Sequence, residues 1–320
     1  MSTKENAAGK LLEILQWVFG PFMTKKQADA DAYANQRLLE TIRNNPDMDI
    51  TITGKGIQAQ LSSDIVLERA EQRRRENERR EQRNLEIIAR LTAEELQDEE
   101  ESISEEKVDE DWLARFFSIA KDINSDELQM IWAHILAGEI KAPGTISLRT
   151  LECVRNISKA EAETFQKILP YVIYVKGGSL FVIRDESLNN KYGIHYGELF
   201  CLGECGLLNV SSTLNYKITV CDDDATIAFT ESDLCLAKME KGEISKIVID
   251  IYPLTKVGCE LFRLLPKESN RDYFVDVINS IKKRYRNNAL AYSIHNIHKF
   301  NGVENIEYNT QPRTIVKDTQ

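Results

Sequence analysis

Cysteine is scarce: six in 320 residues, at Cys153, Cys201, Cys205, Cys221, Cys235 and Cys259, set among apolar neighbours. They lay down no disulfide framework, which excludes a small cross-linked secreted scaffold. The N-terminus lacks the small-residue cleavage site of a signal peptide. The longest apolar-rich run, AAGKLLEILQWVFGPFM (residues 7–23), carries Lys10 and Glu13 and is short for a bilayer span. The expected location is therefore a reducing cytosol, with contact at the periphery of the inner membrane as a second option. An excess of positive charge is also missing. The formal net charge is −10, so phosphate backbones are repelled unless a local basic patch overcomes it.

Catalytic patterns are equally sparse. TGKGIQ at 53–58 lacks the strand, the spacing and the Lys-Ser/Thr end of a phosphate-binding loop. SLFVI at 179–183 has no nucleophile-elbow pattern, and no HExxH occurs. No catalytic, cofactor-binding or metal residue is assigned.

What is present suffices for a core: 42 % of residues are hydrophobic, and the length suits two domains better than one. Residues 8–23 read as a helix whose Leu11, Leu12, Ile14, Leu15, Trp17, Val18, Phe19 and Phe22 cover most of its circumference. Such a helix must be buried, meet a partner or lie on a membrane. Self-association follows as an expectation, with Leu15, Trp17, Phe19 and Phe22 as candidate contacts to a protein or a membrane surface. A second helix is expected over 25–44, then a loop over 44–56, then one long helix over 57–101.

The middle of that long helix, EQRRRENERREQRN (71–84), has no apolar residue. Ion pairs one turn apart, Glu71–Arg75 and Glu76–Arg80, are expected to hold it. Arg73, Arg74, Arg75, Arg79, Arg80 and Arg83 are the candidate nucleic-acid contacts. Glutamates interleave them, so a solvated bridging helix is the plainer reading. From Glu94 to Asp111 the sign reverses, with eleven acidic residues against one lysine. This reads as a frayed helix end or exposed loop, able to fold back on the arginines.

Residues 111–170 form a cleaner helical block. Asn124 with Glu127, and Ser158 with Glu161, make capping boxes, and Ser147 is a good N-cap. On the helix containing WAHILAGEI (132–140), about 100° per residue puts Glu139 in the apolar stripe and His134 on the wetter face, without a partner. A buried carboxylate must be paired or protonated. Arg149, across the Pro143-Gly144 bend, is the expected partner in a structural clamp.

This block also carries a resemblance. Asp111-Trp112, Trp132, LAGEI at 136–140, Pro143-Gly144, SLRTL at 147–151 and SKAEAETF at 158–165 resemble the bacterial family called domain of unknown function 2806. The likeness is specific over about 110–170 and weaker elsewhere. A more distant likeness is to abortive-infection alpha-type proteins, which share a DELQ…W…L helix, a turn and a following helix. The first resemblance implies no activity for any residue. The second implies bacterial defence against phage.

Beyond residue 171 the pattern changes to short β-branched runs. YVIYVKGGSLFVI reads as two strands, and NYKITV, ATIAF, LCLAKM and KIVIDIYPL as four more. TKVGCELFRLL and RDYFVDVINSIKKRY read as helices. GELFCLGECGLLN, the strands after it and LT..G.EL at 254–261 look like a winged-helix module. That region lacks a basic cluster, so protein contacts suit it better than DNA. Cys201 and Cys205 with His295 and His298 could compose a Cys₂His₂ zinc site, but the cysteines lie in an apolar helix and read as core.

The expected fold is α+β: a mainly helical N-terminal half with a long charged helix, and a small winged-helix-like C-terminal domain. The expected divisions are 1–110, 111–170, 171–300 and a polar tail at 301–320. The expected function is a non-enzymatic, self-associating interaction or sensor protein with an unknown protein partner. A nucleic-acid-binding regulator is the alternative.

Overall fold

A computed structural model describes residues 3–19, 49–53, 56–60, 63–97, 104–175, 178–210, 214–220, 225–239, 245–285, 290–300 and 305–316. The fold is α+β. The chain divides into two compact units, Met1–Gly144 and Thr145–Gln320.

The first unit is helical. Helix α1 (Thr3–Phe19) buries Ala7, Leu11 and Ile14, spaced at i, i+4 and i+7. The expected helix over 25–44 lies outside the described residues. The expected loop over 44–56 proves to hold a strand: β1 (Asp49–Thr53) and β2 (Gly56–Gln60) pair antiparallel. The long helix accordingly starts later than its apolar spacing suggests, as α2 (Ser63–Gln97).

Helix α2 changes character along its length. None of residues 67–83 is buried, whereas Asn84, Ile88, Ala89, Thr92 and Leu96 are. The change of character comes at Asn84, a polar residue that the sequence groups with the solvated strip. Its Nδ2 donates to the Lys121 carbonyl (2.8 Å) and to Asn124 Oδ1 (3.1 Å), while its Oδ1 accepts from Gln129 Nε2 (3.2 Å). These bonds satisfy polar groups that burial would otherwise penalise.

Helix α3 (Glu110–Ala120) starts where Asp109 accepts from the Trp112 backbone N–H at 2.8 Å. Helix α4 (Asp126–Lys141) has Ser125 at its N-cap, one residue later than the expected Asn124. Trp112 stacks on Phe116 (centroids 5.2 Å apart), and Phe116 in turn meets Trp132 of α4 at a tilt (5.1 Å). From Ile131 to Ile140 every residue of α4 is buried except the half-buried His134, so its apolar surface is far wider than one stripe.

In the second unit, α5 (Leu148–Arg155) and α6 (Lys159–Ile168) begin at Ser147 and Ser158 as expected. The Ser158–Glu161 capping box is present. A 3₁₀ turn, Leu169–Tyr171, follows at Pro170. The predicted strands then appear as β3 (Ile173–Tyr174), β4 (Leu180–Ile183), β5 (Asn215–Val220), β6 (Ala225–Phe229), β7 (Asp233–Met239) and β8 (Ser245–Pro253). Helices α7 (Glu186–Lys191), α8 (Tyr196–Glu204), α9 (Lys256–Leu264) and α10 (Arg271–Arg284) interleave them.

The stretch after 289 holds the principal surprise. β9 (Leu290–Phe300) is the longest described strand, and β10 (Ile306–Tyr308) and β11 (Thr314–Val316) both pair with it. The expected polar tail thus supplies sheet. The described sheet has nine strands, all paired antiparallel, in the order β10-β9-β7-β6-β3-β4-β8-β5 with β11 also on β9. That sheet is much larger than the two- or three-stranded wing expected of a winged-helix module. Asp233, fully buried at the start of β7, is paired with Arg271 and Arg313, each at 3.3 Å. Arg313 ties the last described segment to the sheet.

Candidate functional site

Helix α5 is fixed from across the second unit. Glu260 on α9 is 5 % exposed, and its Oε2 accepts from the Ser147 N–H (2.9 Å), Ser147 Oγ (3.0 Å) and Thr150 Oγ1 (2.5 Å). The partly positive helix N-terminus suits a carboxylate. Helix α9 is in turn seated on the turn after α8. Thr255 caps it through the Gly258 N–H (3.1 Å) and reaches back to the Gly206 carbonyl (2.6 Å). Gly258 sits so close that a Cβ there would lie 2.2 Å from the Leu207 carbonyl oxygen. The SLRTL and LT..G.EL patterns are therefore two halves of one joint. Helices α6 and α8 are tied by Lys167–Glu198 at 2.5 Å.

These ties leave an open groove of about 910 Å³, its open mouth included, lined by Arg149, Glu152, Cys153, Asn156, Ile157, Glu161, Glu204 and Cys205. At one end Glu161, Cys201 and Cys205 converge, with one ligand atom from each within 4.8 Å of the others. Cys201 lies on α8 and Cys205, one helical turn later, is its C-cap, and Glu161 is fixed by its bond from the Ser158 N–H at 2.7 Å. Cys153 donates its thiol hydrogen to the Cys205 carbonyl at 3.0 Å.

The electrostatics disfavour a nucleophilic role for these thiols. Burial, then the bond to Glu161 and its charge, push the Cys205 thiol up to about 12. Burial and the same charge raise Cys153. Glu161 is held below the ordinary carboxylate range by the Ser158 N–H, then the Ser158 hydroxyl and Cys205. A nucleophilic cysteine needs the opposite shift.

The Cys₂His₂ grouping is not assembled. His295 is buried in β9, with Nδ1 on the Asn309 carbonyl (2.8 Å) and Nε2 against Ser293 Oγ (2.9 Å). His298 faces Glu307 at 3.6 Å. Among the described residues the metal-competent group pairs the two cysteines with Glu161 instead. CLGEC displayed the thiols, but the glutamate, forty residues upstream, could be joined to them only by the fold.

The other singled-out residues are distributed as follows. Glu139 is 1 % exposed, as its helical phase implies, and accepts from the Gly144 N–H at 2.6 Å. Arg149 is exposed in the first turn of α5 and lines the groove. His134 has a partner after all: its Nδ1 lies 2.7 Å from Glu95, which also pairs with Lys141 at 3.3 Å. On α1, Leu15 is half-buried and Trp17 is 49 % exposed. Phe19 ends α1, and Phe22 lies outside the described residues. Among the described residues no helix is long and apolar enough to cross a membrane.

Arg73, Arg74, Arg79, Arg80 and Arg83 are exposed, and Arg75 is half-buried. Ties along this strip include Gln72–Glu76 (3.0 Å), Arg74–Glu78 (3.6 Å) and Gln82–Glu86 (2.8 Å). Arg80 reaches Asp122 on the α3–α4 turn at 3.7 Å, not the expected Glu76. The described part of the acidic stretch turns to Lys10, whose ammonium donates to the carbonyls of Ser104 and Glu106.

A family model, described as "Protein of unknown function (DUF2806)", matches residues 68–278. No curated protein and no solved structure matches the chain.

Proposed function

We propose that this chain, which belongs to the DUF2806 family, is a non-enzymatic, self-associating interaction or sensor protein whose helical unit makes the contacts. The observation that carries the reading is the bare half of α2. Its 35 residues span about 50 Å, and none of residues 67–83 is buried. A helix polar all round stands by bridging packed bodies, and a second protein surface is what it reaches for. Helix α1 adds Leu12 and Trp17, 56 % and 49 % exposed. Light scattering at micromolar concentration tests the reading. A mass above the monomer is expected, reduced by Leu12→Asp with Trp17→Asp. A wild-type monomer overturns it.

The setting we propose is bacterial defence against phage, on the abortive-infection likeness of the helix beginning at Asp126. Plaque counts on a host with and without the chain test that setting. The exposed arginines of α2 support a second reading, nucleic-acid binding. Binding to mixed nucleic acid that falls steeply with salt favours it over self-association.

A further inference from the structure

Three features of the second unit lie together without any role in self-association. They are two thiols one turn apart, a pre-oriented carboxylate beside them, and a groove giving access from solvent. We infer that Cys201, Cys205 and Glu161 form a binding site for a thiophilic divalent cation, zinc, with three protein ligands and an open fourth position.

The donor set selects the metal. Two sulfurs and one oxygen suit zinc, whereas magnesium and calcium require oxygen ligands. Three protein ligands with a fourth position left to water is an established zinc arrangement. The separation within 4.8 Å is close enough for small rotamer changes to bring the atoms onto one ion.

The carboxylate is already positioned. One oxygen of Glu161, Oε2, is held by the Ser158 N–H at 2.7 Å, and the carboxylate also accepts from the Cys205 thiol, a bond that the shared cation would replace. A hydrogen bond of this kind orients a ligating carboxylate and tunes its basicity. Cys153 anchors the backbone at Cys205, since its thiol donates to the carbonyl of that residue at 3.0 Å. Binding converts two thiols to thiolates and releases two protons. Two thiolates, one carboxylate and Zn²⁺ leave a net charge of −1, beside Arg149 in the same groove. Glu152 and Glu204 line the rim and favour cation entry.

The test uses the full-length chain, reduced and stripped with a chelator, titrated with Co²⁺ as a spectroscopic stand-in for zinc. One equivalent should develop a thiolate-to-cobalt charge-transfer band, and Zn²⁺ should erase it. Cys201→Ser with Cys205→Ser should abolish the band. Glu161→Gln preserves the capping box, because glutamine serves at that position as glutamate does. It should weaken Co²⁺ binding by roughly tenfold or more while leaving the thermal melt near wild type. That variant keeps the idea testable if the double serine variant fails to fold. Absence of the band in the wild type, or a band undiminished in the folded variants, overturns the site. The oligomer mass does not enter this experiment, so its outcome is separable from the self-association result.

Discussion

Glu260 and Ser147 are joined by two hydrogen bonds to one carboxylate oxygen, which takes a third from Thr150. The acid on α9 thereby caps α5 from 110 and 113 residues away. Glu260→Ala leaves those donors without their acceptor, at a cost of about 3 kcal/mol. The melting temperature of the second unit should fall by roughly 6–12 °C. Glu260→Gln keeps the shape and one acceptor and should cost less. Differential scanning calorimetry checks the order, and equal losses from Ala and Gln would contradict the joint.

The companion prediction concerns Gly258. With the Leu207 carbonyl oxygen 2.2 Å from an added Cβ, Gly258→Ala must push α9 off the turn after α8. A loss of about 1–3 kcal/mol is expected in urea unfolding. Gly197, inside α8, has nothing within 4 Å of such a Cβ. Gly197→Ala should leave stability unchanged or raise it by about 0.5–1 kcal/mol. Of two like substitutions, only the one at Gly258 should therefore destabilise.

Glu139 gives a third test. It is buried and accepts from Gly144, whose φ of 82° sets the bend. Glu139→Leu removes that acceptor and should cost about 1–3 kcal/mol in denaturant. The clamp expected with Arg149 is decided by a double-mutant cycle of Glu139→Gln and Arg149→Lys. A coupling of about 0.5 kcal/mol or more would support the clamp, and additive single effects would remove it.

Asp276 supplies the pH dependence. Burial opposes its ionisation, but bonds from Lys191 (2.5 Å) and Tyr192 (2.6 Å) outweigh this and hold its carboxyl below the ordinary range. A depressed folded-state value means the stabilisation is complete above the unfolded value of about 3.9 and is lost as pH falls through the folded one. Lys191 is largely exposed, so the contribution is about 1 kcal/mol or less. Asp276→Asn should melt below wild type at pH 7, and the gap should narrow as pH falls below about 3.9 through the folded-state value. A constant gap across that range would contradict the assignment.

Local chemistry made some of this legible in advance. The Ser147 and Ser158 helix starts were readable because capping residues act within one turn. The β-branched runs of the second unit announced their strands for the same reason. The failures are tertiary. Asn84 looked solvated because its partners, Lys121, Asn124 and Gln129, lie 37 to 45 residues away. Strand β9 was hidden because polar residues interrupt it, though Leu290, Tyr292 and Ile294 alternate inward. Thiols were visible, but their nearest carboxylate was not, since α6 and α8 meet only in the folded unit.

The last strands have a consequence for how the chain keeps to itself. β9 pairs with β7 along seven residues, and β10 and β11 pair with it as well. Without those two short strands, its outer N–H and C=O groups would offer an eleven-residue template to any extended segment nearby. The Arg313–Asp233 pair latches that cover in place, because releasing it also strips one counter-ion from a buried carboxylate. Residues that read as a polar tail thus cover an edge that would otherwise invite edge-to-edge polymerisation, and a chain cut at residue 304 should precipitate where the intact one stays dispersed.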